Sequence, residues 1–424
     1  MNSLKKIYQS NIFKITSLNS LSVLIKIAIG LVTSKLLAVF VGPSGMALVG
    51  NLRNFMTSLE SISTMGFQTG IVKYVTENDK NKQQLSKIIS TVFIFIFVLT
   101  LFLSFILLVF LSYFNEKLFE NNPNYSFIIK SVALVLPFYA ISIFFLAVIN
   151  GLGKFQKVIF TNIIGNIIGL LVSLILIYHF RTFGALLSIV VAPALLFGVT
   201  FFYLNQEINL FETLKSKNFD LKIIKDLSSF SIMSLVAAIF GPIVYLSIRK
   251  NIIVNLGINQ AGFWETISRI STYYMMFVTT ILTIYFLPRL IKCNSNQETK
   301  LVFWDFYKYI LSSFIFGTIA VFFMRFFIIK TLFTIDFLPV TNLFLWQLIG
   351  DIFKVASLIL GFNFFAKKMI KAFLISEIAS LLVLYLSSIY FLKIYGLEGV
   401  VIAQALDNFL YFIVLAIFFR KSLI

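Results

Sequence analysis

Six cations in this chain sit inside stretches too apolar to hold them idly: Lys26, Lys35, Arg53, Arg249, Lys250 and Arg269. Four of them repeat a pattern. Lys35 lies seven residues before Gly42 and Arg53 eight after Gly45, while Lys250 lies seven before Gly257 and Arg269 seven after Gly262. At 1.5 Å per helical residue, each would stand about 10–12 Å inward from a turn at the membrane surface. One long cation at that depth can snorkel along its own stem. Four in matched places instead point to a water-filled cavity between the two halves of the chain, with Lys26 and Arg249 adding positive charge on the same segments. A buried cationic cluster with too few acids is costly until an anion neutralises it, so the expected ligand carries concentrated charge such as a phosphate or diphosphate. Arginine grips such a group with a fork of donors and lysine as a point charge. The structural alternative is that Lys26 and Lys35 snorkel and that Glu265 pairs with Arg269 one helical turn on.

Acids in the same segments offer a second chemistry. Asp351 stands three residues before Lys354, so the two could neutralise each other, or Asp351 could take up H⁺ or Na⁺ and couple it to movement. Glu60, seven residues after Arg53, and Glu265 are further candidates for coupling, with Glu377 and Asp407 behind them. Pro137, Pro193 and Pro242 fall inside apolar stretches, where each removes a backbone hydrogen bond and permits a bend. No cofactor is expected. Gly151-Leu152-Gly153-Lys154 lacks the upstream strand and the following Ser or Thr of a phosphate loop, and nothing else resembles an ATP site. Cys293 is the one cysteine and His179 the one histidine, which leaves no metal cluster to predict.

The elements that must position these groups follow from composition. With 59% hydrophobic and 12% charged residues and a mean hydropathy of +0.96, the chain reads as an all-α integral membrane protein rather than a soluble one. Apolar stretches of spanning length are centred near residues 29, 60, 100, 137, 167, 194, 240, 276, 316, 352, 381 and 408, which predicts twelve transmembrane helices. Loop charge orients them. Lys5 and Lys6, Lys73 to Lys87, Lys154 and Lys157, Lys215 to Lys225, Arg289 to Lys300, Lys367 to Lys371 and Arg420 with Lys421 crowd one side. The opposite loops hold only Lys117, Lys130, Arg181, Lys330 and Lys393. Both termini are therefore expected in the cytoplasm. The net charge of +18 is spread over short loops beside the bilayer, so anionic membrane lipids, not nucleic acid, are the expected partner. The longest polar break, residues 205–226, divides six spans from six and sets two domains, 1–212 and 213–424.

Several runs resemble one family. Leu24-Ile25-Lys26-Ile27, Lys35-Leu36-Leu37-Ala38-Val39, Gly42-Pro43-Ser44-Gly45, Asn51-Leu52-Arg53 and Gly70-Ile71-Val72-Lys73-Tyr74-Val75 look like the opening of Wzx-type lipid-linked oligosaccharide flippases, those for O-antigen and enterobacterial common antigen (lipid III) units. Gly262-Phe263-Trp264, Leu287-Pro288-Arg289 and Trp346-Gln347-Leu348-Ile349-Gly350-Asp351 with Lys354-Val355 continue the likeness in order along nearly the whole chain. The resemblance implies the multidrug/oligosaccharidyl-lipid/polysaccharide (MOP) exporter superfamily: two six-helix lobes around a central cationic cavity, working by alternating access in a bacterial inner membrane. It implies a transporter, not an enzyme, that moves an undecaprenyl-diphosphate-linked oligosaccharide from the cytoplasmic to the periplasmic leaflet. Arg53, Lys35, Lys26, Lys250, Arg269 and Arg249 would hold the diphosphate, Asp351, Glu60 or Glu265 would couple the ion, and a polysaccharide polymerase and chain-length regulator would be partners. Glu60 and Arg269 depart from the common-antigen members, which are uncharged there. Two rivals share parts of this pattern. A MATE-like drug or cation exporter would need an acidic rather than a basic cavity, and a membrane polysaccharide polymerase or glycosyltransferase would need larger external loops.

Overall fold

The computed structural model describes residues 11–214 and 219–423, so Lys5, Lys6, Lys215 and Lys217 lie outside the described residues. Every regular element is helical, with no strand among the described residues. The chain packs as two compact units, each discontinuous in sequence. The first takes the chain up to Thr33 together with Asn51–Pro242; the second takes Ser34–Gly50 and the chain from Ile243 onward.

The first unit draws on α1 (Asn11–Phe40), α2 (Gly42–Ser63), α3 (Gln68–Glu77), α4 (Lys82–Val109), α5 (Leu111–Phe119), α6 (Ser126–Gly151), α7 (Phe155–Asn205), α8 (Leu210–Thr213) and the opening of α9 (Leu221–Leu256). The second takes the end of α1 and the start of α2, the remainder of α9, then α10 (Ile258–Ile281), α11 (Leu287–Lys292), α12 (Asn296–Asp305), α13 (Ser312–Leu332), α14 (Phe344–Ala366), α15 (Ile370–Phe418) and α16 (Arg420–Leu423). Two π-helical turns, Leu282–Phe286 and Phe306–Leu311, join α10 to α11 and α12 to α13.

Nine helical stretches among the described residues are long and apolar enough to cross a bilayer, which makes this a multi-pass membrane protein. Two of them are too long to cross once. α7 has 51 residues and would run about 76 Å if straight, against a hydrocarbon core of roughly 30 Å. It reverses at Arg181, whose backbone (φ 51°, ψ −126°) is not helical. Three residues later the returning strand of helix passes so close that a Cβ on Gly184 would lie 1.8 Å from the Leu176 carbonyl oxygen. α15, of 49 residues, repeats the device in the second unit. It reverses at Gly396 (φ 59°, ψ −138°), and a Cβ on Gly399 would lie 2.0 Å from the Phe391 carbonyl oxygen.

Each unit is built around one span that is enclosed by others over most of its length. In the first unit it is the Pro123–Gly151 stretch, 67% buried over its apolar window; in the second it is Ile335–Ala366, 61% buried, and no other span exceeds 39%. α6 packs against α3, α4 and α7, with Phe144, Phe145, Val148 and Ile149 in the core; α14 packs against α10, α13 and α15. Pro137, Pro193 and Pro242 all lie within helices, as read from the sequence. The apolar run expected near residue 60 is placed differently. α2 begins at Gly42 and ends at Ser63, because Met65 (φ 50°) and Gly66 (φ 61°) both take left-handed backbone that a helix cannot continue.

The described residues on either side of 215–218 in the polar break are docked by ion pairs and a hydrogen bond. Glu207 accepts from Lys154 and Lys157, both at 2.7 Å, Asp220 pairs with Lys87 at 2.8 Å, and Ser86 Oγ donates to the Thr213 carbonyl at 3.2 Å. The hydrogen bond from Lys154, then that from Lys157, holds the Glu207 carboxyl below its ordinary range.

Candidate functional site

The repeated cations flank matched turns. Gly42 (φ 71°) separates α1 from α2 and Gly257 (φ 89°) separates α9 from α10, each in the left-handed region that glycine reaches without steric cost. Lys35 and Lys250 precede these glycines; Arg53 and Arg269 follow them on α2 and α10. The side chains nevertheless meet different environments. Lys250 and Lys26 are exposed and Arg53 is half-buried. Lys35 donates from Nζ to the Phe333 carbonyl at 2.6 Å. Arg269 is 7% exposed.

α10 organises the second unit's polar interior. Its stripe 265–269–273 carries Glu265, Arg269 and Tyr273, since residues four apart share a helical face. Arg269 Nε donates to the Tyr273 hydroxyl at 2.8 Å, and that hydroxyl shares a 2.7 Å hydrogen bond with Ser34 Oγ, beside Lys35. Arg269 Nη1 is buried with no hydrogen-bond acceptor. Glu265 does not pair with Arg269 as one reading of the sequence expected. Its Oε2 accepts from Arg249 Nη2 at 2.6 Å, with both side chains all but closed to solvent. The reason is local packing: Arg249 lies over the Trp264 ring at 5.2 Å, and Trp264 stacks on Tyr245. Gly50 completes this site, because a Cβ there would lie 2.4 Å from Glu265 Oε2 and 2.8 Å from Arg249 Cζ. Arg249 and Glu265 thus form a buried ion pair.

Roughly the opposite side of α10 holds the second acid. Asp351, on α14, is fully buried. Ser271 Oγ donates to it at 2.7 Å, the Tyr274 hydroxyl donates to the same oxygen, and Gln347 Nε2 spans both carboxylate oxygens at 3.2 Å. The expected neutralisation by Lys354 is replaced by this cage, and no ion pair joins the two among the described residues; Lys354 is half-buried on the same helix. Gln347 Oε1 is itself buried without a partner. Hydroxyls suit such an acid in either state, since each donates to a carboxylate and can accept from a carboxylic acid. Elsewhere, Asp407 accepts from Ser380 Oγ at 2.8 Å. In the first unit Glu60 accepts from the Tyr139 hydroxyl at 2.6 Å. None of Tyr139, Ser271, Tyr273 or Tyr274 was singled out from the sequence. For Tyr273 the only signal was a hydroxyl four positions along from Arg269 on α10, a pattern common in any membrane helix; Ser271, Tyr274 and Tyr139 had none.

Comparison with known proteins agrees with the flippase resemblance. Lipid III flippase of Escherichia coli (strain K12) is 26% identical over 392 residues, spanning 92% of this chain and 94% of its own length. Crystallised MATE in complex with MaL6 superposes with a TM-score of 0.70 at 13% identity, covering 99% of this chain and 98% of that one. The outward-facing conformation of a multidrug resistance MATE family transporter of the MOP superfamily gives 0.69 at 13% identity, covering 99% and 97%. At such identity the solved structures establish the fold alone. The family model described as polysaccharide biosynthesis protein matches residues 12–294. With two-thirds of its length inside that model, the chain belongs to the polysaccharide biosynthesis protein family and carries the MOP-superfamily fold.

Proposed function

We propose that this protein is a flippase that carries an undecaprenyl-diphosphate-linked oligosaccharide, an O-antigen or common-antigen repeat unit, from the cytoplasmic to the periplasmic leaflet of the bacterial inner membrane. The observation that carries the reading is Arg269, a cation 7% exposed whose Nη1 has no acceptor. Leaving such a nitrogen unsatisfied is costly, and a diphosphate oxygen is the acceptor that would relieve it. The lipid III flippase likeness supplies the substrate class. Lys35 and Arg53 act with Arg269, while Lys250 and Lys26, being exposed, serve to attract the anion rather than to enclose it. The polyprenyl tail stays in lipid throughout, since passing so long an apolar chain through water would be unfavourable.

A twelve-span topology supports the reading: α7 and α15 each count twice and α2 supplies the twelfth span. Loop charge then sets both termini in the cytoplasm, and the six-span lobes divide by chain order at the polar break, 1–212 and 213–424, whereas the compact packing units divide at Pro242 and give Ser34–Gly50 to the second. Access alternates by bending at Pro137, Pro193 and Pro242. Asp351, the fully buried acid, is the coupling acid, for H⁺ or Na⁺; Glu265 is already neutralised by Arg249 and Glu60 is only half-buried. A polysaccharide polymerase and a chain-length regulator follow as partners of the exported unit.

The test is leaflet transfer of a short-chain polyprenyl-diphosphate oligosaccharide in sealed vesicles, at matched protein levels. Arg269→Ala and Arg53→Ala should abolish transfer, with partial rescue by Arg269→Lys and Arg53→Lys. Asp351→Asn should remove the dependence of the rate on the ion gradient. Undiminished transfer in both alanine variants would sink the diphosphate site. Export of cationic dyes by the wild type, lost in Asp351→Asn, would move the assignment to a drug exporter.

A further inference from the structure

The end of the second unit that carries Arg289, Lys292, Lys367, Lys368, Arg420 and Lys421 opens into a cavity of about 980 Å³. Lys367, Arg420 and Lys421 line it, and no Asp or Glu does. The cations are held in place. Lys367 Nζ donates to the Cys293 carbonyl, which uses one of its three hydrogens. Arg420 and Lys421 ride on α16, which is tied to α12 by Ser422 Oγ donating to Asn296 Oδ1 at 3.0 Å and by Trp304 Nε1 donating to the Leu423 carbonyl at 3.1 Å. A second feature is independent of charge. Asn363 lines the same cavity, is 3% exposed, and its Oδ1 has no hydrogen-bond partner. An acceptor left in that state calls for a donor from a ligand.

The rim is apolar. Phe418, 49% exposed, and Ile417, 63% exposed, end the spanning helix α15 at the mouth of the cavity. A basic floor, one buried acceptor and an exposed apolar rim at the end of a membrane helix match one ligand chemistry: a phosphate diester, anchored in lipid, that bears a free hydroxyl.

We infer that this cavity binds the headgroup of an anionic glycerophospholipid, its phosphate against Lys367, Arg420 and Lys421 and a headgroup hydroxyl donating to Asn363 Oδ1. The site lies away from Arg269 and Asp351 in sequence and in its lining residues, and it does not depend on which substrate is transported.

Native mass spectrometry of the delipidated full-length protein tests it, with phosphatidylglycerol, phosphatidylethanolamine and phosphatidylmethanol as probes. Wild type should retain phosphatidylglycerol over phosphatidylethanolamine. The double variant Arg420→Gln/Lys421→Gln should bind phosphatidylglycerol about tenfold more weakly, since each cation makes a charge-assisted contact. Asn363→Leu should weaken phosphatidylglycerol yet leave phosphatidylmethanol, which lacks the headgroup hydroxyl, unchanged; this arm decides the matter even where the double variant misfolds. Equal retention of phosphatidylglycerol and phosphatidylethanolamine by wild type, or undiminished retention by both variants, overturns the inference. So does displacement of phosphatidylglycerol by equimolar inorganic phosphate, which would make this a free-anion site, or by equimolar polyprenyl diphosphate, which would give it to the transported lipid.

Discussion

The two units share a frame but not an interior. Each has a tight reversal with a glycine three residues on, Gly184 or Gly399, and one enclosed central span, whereas the left-handed Gly42 and Gly257 both fall in the second. Yet every buried charged side chain among the described residues, Arg249, Glu265, Arg269, Asp351 and Asp407, belongs to the second unit. The first unit keeps Arg53 and Glu60 half-buried and fills its centre with Phe144, Phe145 and their aliphatic neighbours. A repeated backbone therefore does not carry a repeated chemistry. Close helix approach needs only glycine at the crossing, whereas a buried charge needs counter-groups from several helices at once, and these can be present in one copy and lost from the other.

The asymmetry is most exposed to test at the Arg249–Glu265 pair. Arg249→Met should destabilise the purified protein by about 3–5 kcal/mol, because it takes the Arg249 guanidinium from a buried carboxylate, and adding Glu265→Met should recover much of the loss. Arg53→Met, in the half-buried setting, should cost far less by the same thermal-unfolding assay; equal losses would break the contrast. The shared frame predicts the opposite, a symmetric result. Gly184→Ala and Gly399→Ala should each destabilise by roughly 3 kcal/mol, near the top of the range for overpacking, because the added methyl meets a backbone carbonyl that cannot move aside.

Tyr274→Phe and Tyr139→Phe each delete one hydroxyl donated to a carboxylate. The loss should be about 2 kcal/mol at fully buried Asp351 and about 1 kcal/mol at half-buried Glu60, read from unfolding in denaturant. The smallest effect belongs to the docked connection. Glu207 is held below its ordinary carboxyl range by Lys154 and Lys157, so its contribution is complete above the unfolded value of about 4.3 and is lost as pH falls through the lower folded value. Glu207→Gln should cost up to about 1 kcal/mol at pH 7, and that difference should vanish in strong acid. A difference that grew on acidification would refute the assignment.

Much of the fold was legible before any coordinates. A spanning helix must bury about twenty apolar residues against lipid, so its existence is written into one local stretch, and Pro137, Pro193 and Pro242 could be placed inside such stretches for the same reason. Boundaries near polar residues were harder: the second span was expected about residue 60, and only the left-handed backbone at Met65 and Gly66 shows where α2 must stop. The candidate site was half legible. An intramembrane cation announces itself, which is how Lys35, Arg53, Arg249 and Arg269 were found.

Which partner each cation takes was decided by tertiary structure. Glu265 has Arg269 one turn away on its own helix, but packing of Trp264 on Tyr245 and the bare surface of Gly50 bring Arg249 to it instead. Asp351 has Lys354 three residues on, but Ser271 and Tyr274 reach it from α10. Sequence spacing ranks neighbours along one helix; in a medium without water the strongest contact is whichever donor is delivered from any direction, and long-range packing alone sets that. By itself the sequence determined that this chain crosses a membrane many times, because hydropathy acts locally. The pairing of its buried charges, their confinement to one unit and the basic cavity at its end arise only when distant helices meet.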